Sequence, residues 1–224
     1  ILNSTGSLLC MNNSTSIVVY GLPESVYCTI VILVLRHKNV SYQLHTVDVF
    51  SSAAMSEEHL ARHPFGKIPV LQHIDFELYE TRAIIRYIDD YWPEPPLQPH
   101  IVRDRARMEQ IISILDSYAY KAMVWDVYVK SAAASKCNEK VVNAGLAQSE
   151  LCLRAIADLQ GSNNYLVGSS MSLADIYAYP MIKYLSLVDQ GAELLMEFPN
   201  ISAWFQSMEA TLAFTPLAPA HKTP

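Results

Sequence analysis

Phe65-Gly-Lys-Ile-Pro-Val-Leu71 is a strand-like run with a proline at its centre, and its reading decides the fold. Proline has no amide proton for a ladder bond, so Pro69 belongs at the leading edge of the strand. A cis Ile68–Pro69 bond would turn the backbone there and present the polar groups of Ile68 outward, although trans is the commoner form. Downstream, a turn at residues 73–75 leads into Phe76-Glu-Leu-Tyr79, which fits an antiparallel partner strand. From Glu80 the apolar positions Ile84, Ile85, Ile88 and Tyr91 recur at helical spacing.

Upstream, Ser56 to Arg62 forms a short helical segment, and Val40, Tyr42 and Leu44 alternate with Ser41 and Gln43 in the period of two expected of a strand. Between Ser25 and Lys38 the chain is apolar almost all round, with a hydroxyl residue in front, three basic residues at the back and Asn39 just beyond. These are the two ends of a buried helix. Ile17-Val-Val-Tyr20, closed by Gly21 and Pro23, is a β-branched strand. The order is β-α-β-α-β-β-α, opening with a right-handed βαβ unit.

Trp92-Pro-Glu-Pro-Pro-Leu-Gln-Pro99 holds four prolines in eight residues, so it cannot be helix interior. Beyond it only helical patterns occur, at about 101–130, 138–160, 172–188 and 198–211. Ser172-Leu-Ala-Asp175 has the spacing of a capping box, whose role is folding stability. The expected organisation is an α/β domain at 17–92, a linker at 93–99 and an all-helical domain at 100–224. Residues 1–16 have neither a basic start nor a long apolar centre and read as a leader or cloning remnant.

With 16 Lys plus Arg against 22 Asp plus Glu, the net charge of −6 gives no electrostatic reason to bind nucleic acid or an anionic membrane. No stretch approaches the ~20 apolar residues of a membrane span, since Val31–Leu35 is soon stopped by Arg36, His37 and Lys38. The four cysteines, Cys10, Cys28, Cys137 and Cys152, lack metal-ligand spacing and are too few for a disulfide scaffold, which points to a reducing, cytoplasmic compartment. The histidines form no metal constellation and there is no Gly-rich phosphate loop.

From Val19 onward the chain resembles a two-domain cytosolic glutathione transferase, most closely the phi class. The motifs are Tyr-Gly-Leu-Pro-Glu-Ser (20–25), Pro-Phe-Gly-Lys-Ile-Pro-Val-Leu (64–71), Glu-Thr-Arg-Ala-Ile (80–84) with Tyr87-Ile88, and Ser-Leu-Ala-Asp-Ile (172–176). Each is weak alone, and four in order are specific. The resemblance implies a thioredoxin-like N-terminal domain that holds glutathione, a helical domain that adds the second-substrate pocket, and a homodimer. The implied reaction is detoxifying conjugation of glutathione to hydrophobic electrophiles, with glutathione as co-substrate and no tightly bound cofactor or metal.

Residue by residue, the resemblance places Ser25 as the catalytic hydroxyl donating to the glutathione sulfur. A thiol of pKa ~8.5 is lowered by such a donor and by a positive helix end. It also gives the backbone of Ile68 to the cysteinyl part, the Glu80-Thr81 pair to the γ-glutamyl end, and Lys67 to a glutathione carboxylate. Taken singly, Ser25 and Glu80-Thr81 read equally as helix caps, and Lys67 as a solvated charge. For the second-substrate pocket the candidates are Tyr118 and Trp125, in a stretch with Met108, Ile112, Leu115 and Met123–Tyr128 that also reads as core. Three departures stand out. A His-Lys pair of the phi pattern falls on Ala54 and Met55, Ile30 replaces an arginine, and Val26 replaces a small hydroxyl residue, so glutathione affinity is expected to be reduced. Arg62 and His63 are the candidates to compensate. Two rival readings remain: a thiol reductase or peroxidase using Cys28, one helical turn after Ser25, and a non-catalytic relative binding a ligand or a protein.

Overall fold

The computed structural model describes residues 17–49, 55–132 and 138–212; Ala54, Cys10, Cys137 and residues 1–16 lie outside them. Strand β1 (Ile17–Gly21) lies beside β2 (Tyr42–Thr46) in parallel, with Ile17 opposite Tyr42, and these two are joined by helix α1 (Val26–His37). On its other side β1 pairs antiparallel with β3 (Val70–His73), which turns into β4 (Phe76–Tyr79). The strand order β2-β1-β3-β4 is that of a thioredoxin-like sheet. Pro69 sits immediately before β3, and the Ile68–Pro69 bond is cis. Helix α2 (Glu57–Arg62), capped by the Ser56 hydroxyl accepting from the His59 amide, precedes β3, and α3 (Thr81–Tyr91) follows β4.

Helix α1 is apolar almost all round because it is covered almost all round. It packs on α3 and on a helix of the C-terminal half, and Ile30 to Leu35 are all buried. Its C-terminal end closes where Asn39 takes a left-handed conformation (φ 55°) and its amide donates to the Arg36 carbonyl. The proline-rich stretch is tied down from beneath. Buried Lys38 pairs with Asp89, whose Oδ1 also accepts the Leu97 amide at 2.9 Å. Ile30, where the sequence resemblance led to the expectation of an arginine, is fully buried in this packing.

From Val102 onward the described residues are helical or loop. Helix α4 (Val102–Ile114) runs on through two π-helical stretches, Leu115–Ala119 and Lys121–Val129, and a last turn, Lys130–Ala132. Then come α5 (Glu139–Gln160), α6 (Leu173–Ser186), α7 (Asp189–Met196) and α8 (Pro199–Leu212). The expected helix at 101–130 is thus continuous but changes pitch after Ile114, and α7 is an element the sequence pattern did not reveal. Gly145 of α5 lets that helix approach the π-helical stretch: a Cβ there would lie 2.8 Å from the Asp126 Cβ.

The Ser172–Asp175 capping box is present, and it does more than cap α6. The buried Asp175 carboxylate accepts from the Ser172 amide and hydroxyl, from the Leu166 amide at 2.8 Å and from the Trp204 indole at 2.8 Å. Burial pushes this carboxyl up, and the four donors oppose that shift. One carboxylate therefore joins α6, the preceding loop and α8. Among the described residues no helix is long and apolar enough to cross a membrane.

Candidate active site

Three segments meet at the C-terminal end of β1. Gly21 ends the strand with the Cys28 sulfur against it: a Cβ on Gly21 would lie 2.3 Å from Sγ and 3.8 Å from the Ile68 Cβ. The turn after Gly21 leads into α1, whose N-cap is Ser25 (φ −73°, ψ 125°). The Ser25 hydroxyl accepts the Cys28 amide at 3.4 Å, a long bond that leaves the oxygen only lightly engaged as a cap. A hydroxyl has two lone pairs and one proton, so accepting from an amide does not prevent its proton from serving a sulfur at the helix start. The side chain is half-buried at the positive end of a 12-residue helix.

Cys28 itself is fully buried, and burial raises its thiol to about 11, against the lowering by hydrogen bonds to the Ser25 side chain and the Leu22 backbone. A thiol so placed is mostly protonated and shielded, which argues against a reductase using it as nucleophile. Cys152 is buried as well, and its thiol too is raised by burial.

Glu80 and Thr81 begin α3 on the far side of this junction. Glu80 is exposed and held at φ 72°, ψ 110°, and its side chain makes no capping bond to the helix. A left-handed conformation at a residue other than glycine costs on the order of 1–3 kcal/mol and is concentrated at ligand-binding sites. The cap reading of this pair is not what the side chain does. Thr81 is buried. The Glu80 charge acts on both Tyr27 of α1 and His63 of the loop before β3, so the three segments share one electrostatic neighbourhood.

Lys67 is exposed and its ammonium joins none of the ion pairs among the described residues, while its carbonyl bonds the buried His59 Nε2 at 2.8 Å. Since a carbonyl only accepts, this bond places a proton on Nε2. Met55 lines a cavity of about 400 Å³ beside α2, together with Tyr20, His45, His59 and Arg62. Arg62 is already committed: it binds Glu58 at 2.8 Å and Glu77 at 3.3 Å, and its guanidinium lies 4.3 Å over the Tyr20 ring. His63 is buried, with its ring 4.6 Å from that of Tyr79, and its Nδ1 accepts the Phe65 amide at 3.4 Å. Burial pulls its pKa below the usual value, so it is not a ready cation at neutral pH. Neither candidate supplies the charge absent at Met55.

The expected second-substrate residues divide. Met108, Ile112, Leu115 and Met123 are fully buried core. Trp125 hydrogen-bonds Tyr120, whose ring lies 4.6 Å from Tyr27. Tyr118 is 58% exposed and stands outside that cluster. What the sequence did not reveal is the hydroxyl network beside it: Tyr27 and Tyr177 both donate to Asp116 Oδ1, at 3.1 and 2.7 Å. Among the described residues, no group of three or more His, Cys, Asp or Glu side chains could hold a metal ion.

A thioredoxin-like sheet followed by an appended helical bundle defines the fold class of the molecule. Residues 15–90 match the glutathione S-transferase N-terminal domain, and residues 118–211 match the C-terminal domain of the same family. The chain belongs to the glutathione S-transferase family. It is 28% identical over 203 residues to glutathione S-transferase F10 of Arabidopsis thaliana, covering 86% of this chain and 92% of that one. It is 28% identical over 210 residues to glutathione S-transferase 4 of Zea mays, covering 89% and 91%. The relatives named F are plant phi-class proteins. Among solved structures, glutathione S-transferase III in its apo form superposes with a TM-score of 0.79 at 27% identity, over 91% of this chain and 99% of that one. Glutathione transferase F7 from Populus trichocarpa gives 0.77 at 24% identity, over 88% and 97%, a likeness of fold.

Proposed function

We propose that the protein conjugates reduced glutathione to hydrophobic electrophiles, with Ser25 stabilising the thiolate. The supporting observation is the convergence of the Ser25 hydroxyl at the start of α1, the backbone of Ile68 and the strained Glu80-Thr81 helix start at one strand end. In this reading Ile68 pairs with the cysteinyl backbone, Glu80 and Thr81 hold the γ-glutamyl end, and Lys67 faces a carboxylate. The thiol proton passes to solvent. The sulfur lone pair then forms the S–C bond, and the displaced group leaves with its bonding pair. Trp125, in the cluster with Tyr120 and Tyr27, serves the second substrate, and Tyr118, exposed outside that cluster, is the weaker candidate for it. A sheet-bearing unit at 17–92, a linker at 93–99 and a helical unit at 100–224, a homodimeric state and a cytoplasmic location belong to the same reading.

The test is calorimetric titration of glutathione into the protein, paired with ultraviolet thiolate absorbance of bound glutathione across pH in wild type and Ser25→Ala. The expected result is saturable binding with a thiol pKa well below that of free glutathione, lost in the variant, with turnover down about 10²-fold or more. Absence of binding at millimolar glutathione would replace this reading with that of a non-catalytic binding protein, which Met55 and the committed Arg62 favour.

A further inference from the structure

The turn that carries Ser25 is held by its carbonyls. Leu22 O accepts the Ser25 amide at 3.1 Å, and Pro23 O accepts the Thr29 hydroxyl at 3.1 Å. Both bonds are local. Glu24 O is claimed from the other half of the molecule, by the Tyr184 hydroxyl of α6 at 2.7 Å across 160 residues of sequence.

Glu24 O and Ser25 N–H belong to one peptide plane. The plane is therefore pinned at both ends, its N–H by the turn itself and its oxygen by the helical bundle. Orientation of that plane fixes φ at Ser25, and with φ the direction in which the Cα–Cβ bond leaves the backbone and the rotamers open to Oγ. Tyr184 is suited to the task. Its side chain is buried, its ring meets the Tyr128 ring at 4.8 Å with an interplanar angle of 60°, and burial keeps the hydroxyl protonated and hence a donor. The same bundle grips α1 a second time through Asp116, which receives Tyr27 and Tyr177. That grip holds the helix body and does not touch the Ser25 peptide.

We propose that Tyr184 is a positioning residue for catalysis: its hydroxyl, by holding the Glu24 carbonyl, aims the Ser25 side chain at the glutathione sulfur. The proposal rests on the reading of Ser25 given above. It assigns the helical half a part in thiolate formation, in addition to any part in binding the second substrate.

The experiment is a double-mutant cycle of Tyr184→Phe and Ser25→Ala in the full chain, reading the thiol pKa of bound glutathione, kcat and KM. Phenylalanine fills the ring's space and removes only the donor, and a thermal melt of each variant verifies folding. In the wild-type background Tyr184→Phe is expected to raise the thiol pKa and lower kcat about tenfold, with KM for glutathione within about twofold. In the Ser25→Ala background the same change is expected to do nothing further, because its effect runs through Ser25. An unchanged thiol pKa in Tyr184→Phe, where Ser25→Ala does raise it, overturns the proposal. So does an equal effect in both backgrounds, which would mean a general loosening of the interface. If Ser25→Ala itself leaves the thiol pKa unchanged, the underlying reading of Ser25 fails, a different outcome from either.

Discussion

The β1–α1 junction and the cavity beside α2 are built differently. At the β1–α1 end every carbonyl from Leu22 to Glu24 has a donor, the helix start is capped, and Glu80 is held in a conformation that only surrounding structure can maintain. Beside α2, Met55 lines the cavity at a position where the sequence resemblance leads to the expectation of a cation. Arg62 is bound to two glutamates and stacked on Tyr20, and His63 is buried with its pKa lowered by that burial. The difference teaches that a cation in the sequence is not a cation at the site. Arg62 is three residues before the Phe65 loop and His63 only two, yet packing has given both other partners.

The contrast can be broken or sharpened by substitution. The largest effect should come at the ordered end. If Glu80 holds the γ-glutamyl amine as proposed, Glu80→Ala is expected to weaken glutathione binding about 10- to 100-fold by calorimetry. A change within twofold would remove Glu80 from the binding set. Next comes a gain at the other end, where Met55→Lys is expected to tighten glutathione about three- to tenfold, and more at low salt than at high. If the lysine leaves affinity unchanged, the cavity beside α2 takes no part in holding glutathione.

The smallest effect concerns pH. His63 has its pKa lowered chiefly by burial, with Glu80 opposing and His59 and Lys67 adding to the shift. A histidine depressed in the fold binds its proton more readily when unfolded. Its contribution to stability is therefore present above the ordinary value of 6.5 and is lost as pH falls through and below it. The melting temperature of wild type is expected to fall between pH 7 and pH 5, and that of His63→Gln to fall by less. Equal slopes in the two proteins would show that the ring titrates freely.

Much of the fold was legible because its signals are local. The β-branched run at 17–20, the period of two at Val40–Leu44, the hydroxyl before α1 and the Ser172–Asp175 box each act within one turn or one strand, and each marks the element it was expected to mark. The missed elements lack such a signal. Helix α7 is eight residues long with a glycine inside it, and that glycine is explained only by its neighbour, since a Cβ on Gly191 would lie 2.2 Å from the Leu185 carbonyl oxygen. The π-helical stretches after Ile114 keep an apolar face that resembles an ordinary helix in sequence, and only backbone hydrogen bonding separates the two.

The site follows the same division. Sequence alone determined that a serine would open the first helix, that a proline would precede the third strand and that an acid-hydroxyl pair would start the helix after the fourth. Propensity, missing amide protons and capping are properties of a residue and its immediate neighbours. Tertiary structure alone decided that Glu80 would take φ 72°, that Arg62 would be occupied, that Cys28 would be sealed behind Gly21 and that a tyrosine 160 residues away would hold the peptide before Ser25. Those outcomes depend on which surfaces meet when the helical bundle closes on the sheet, and no local pattern records the meeting.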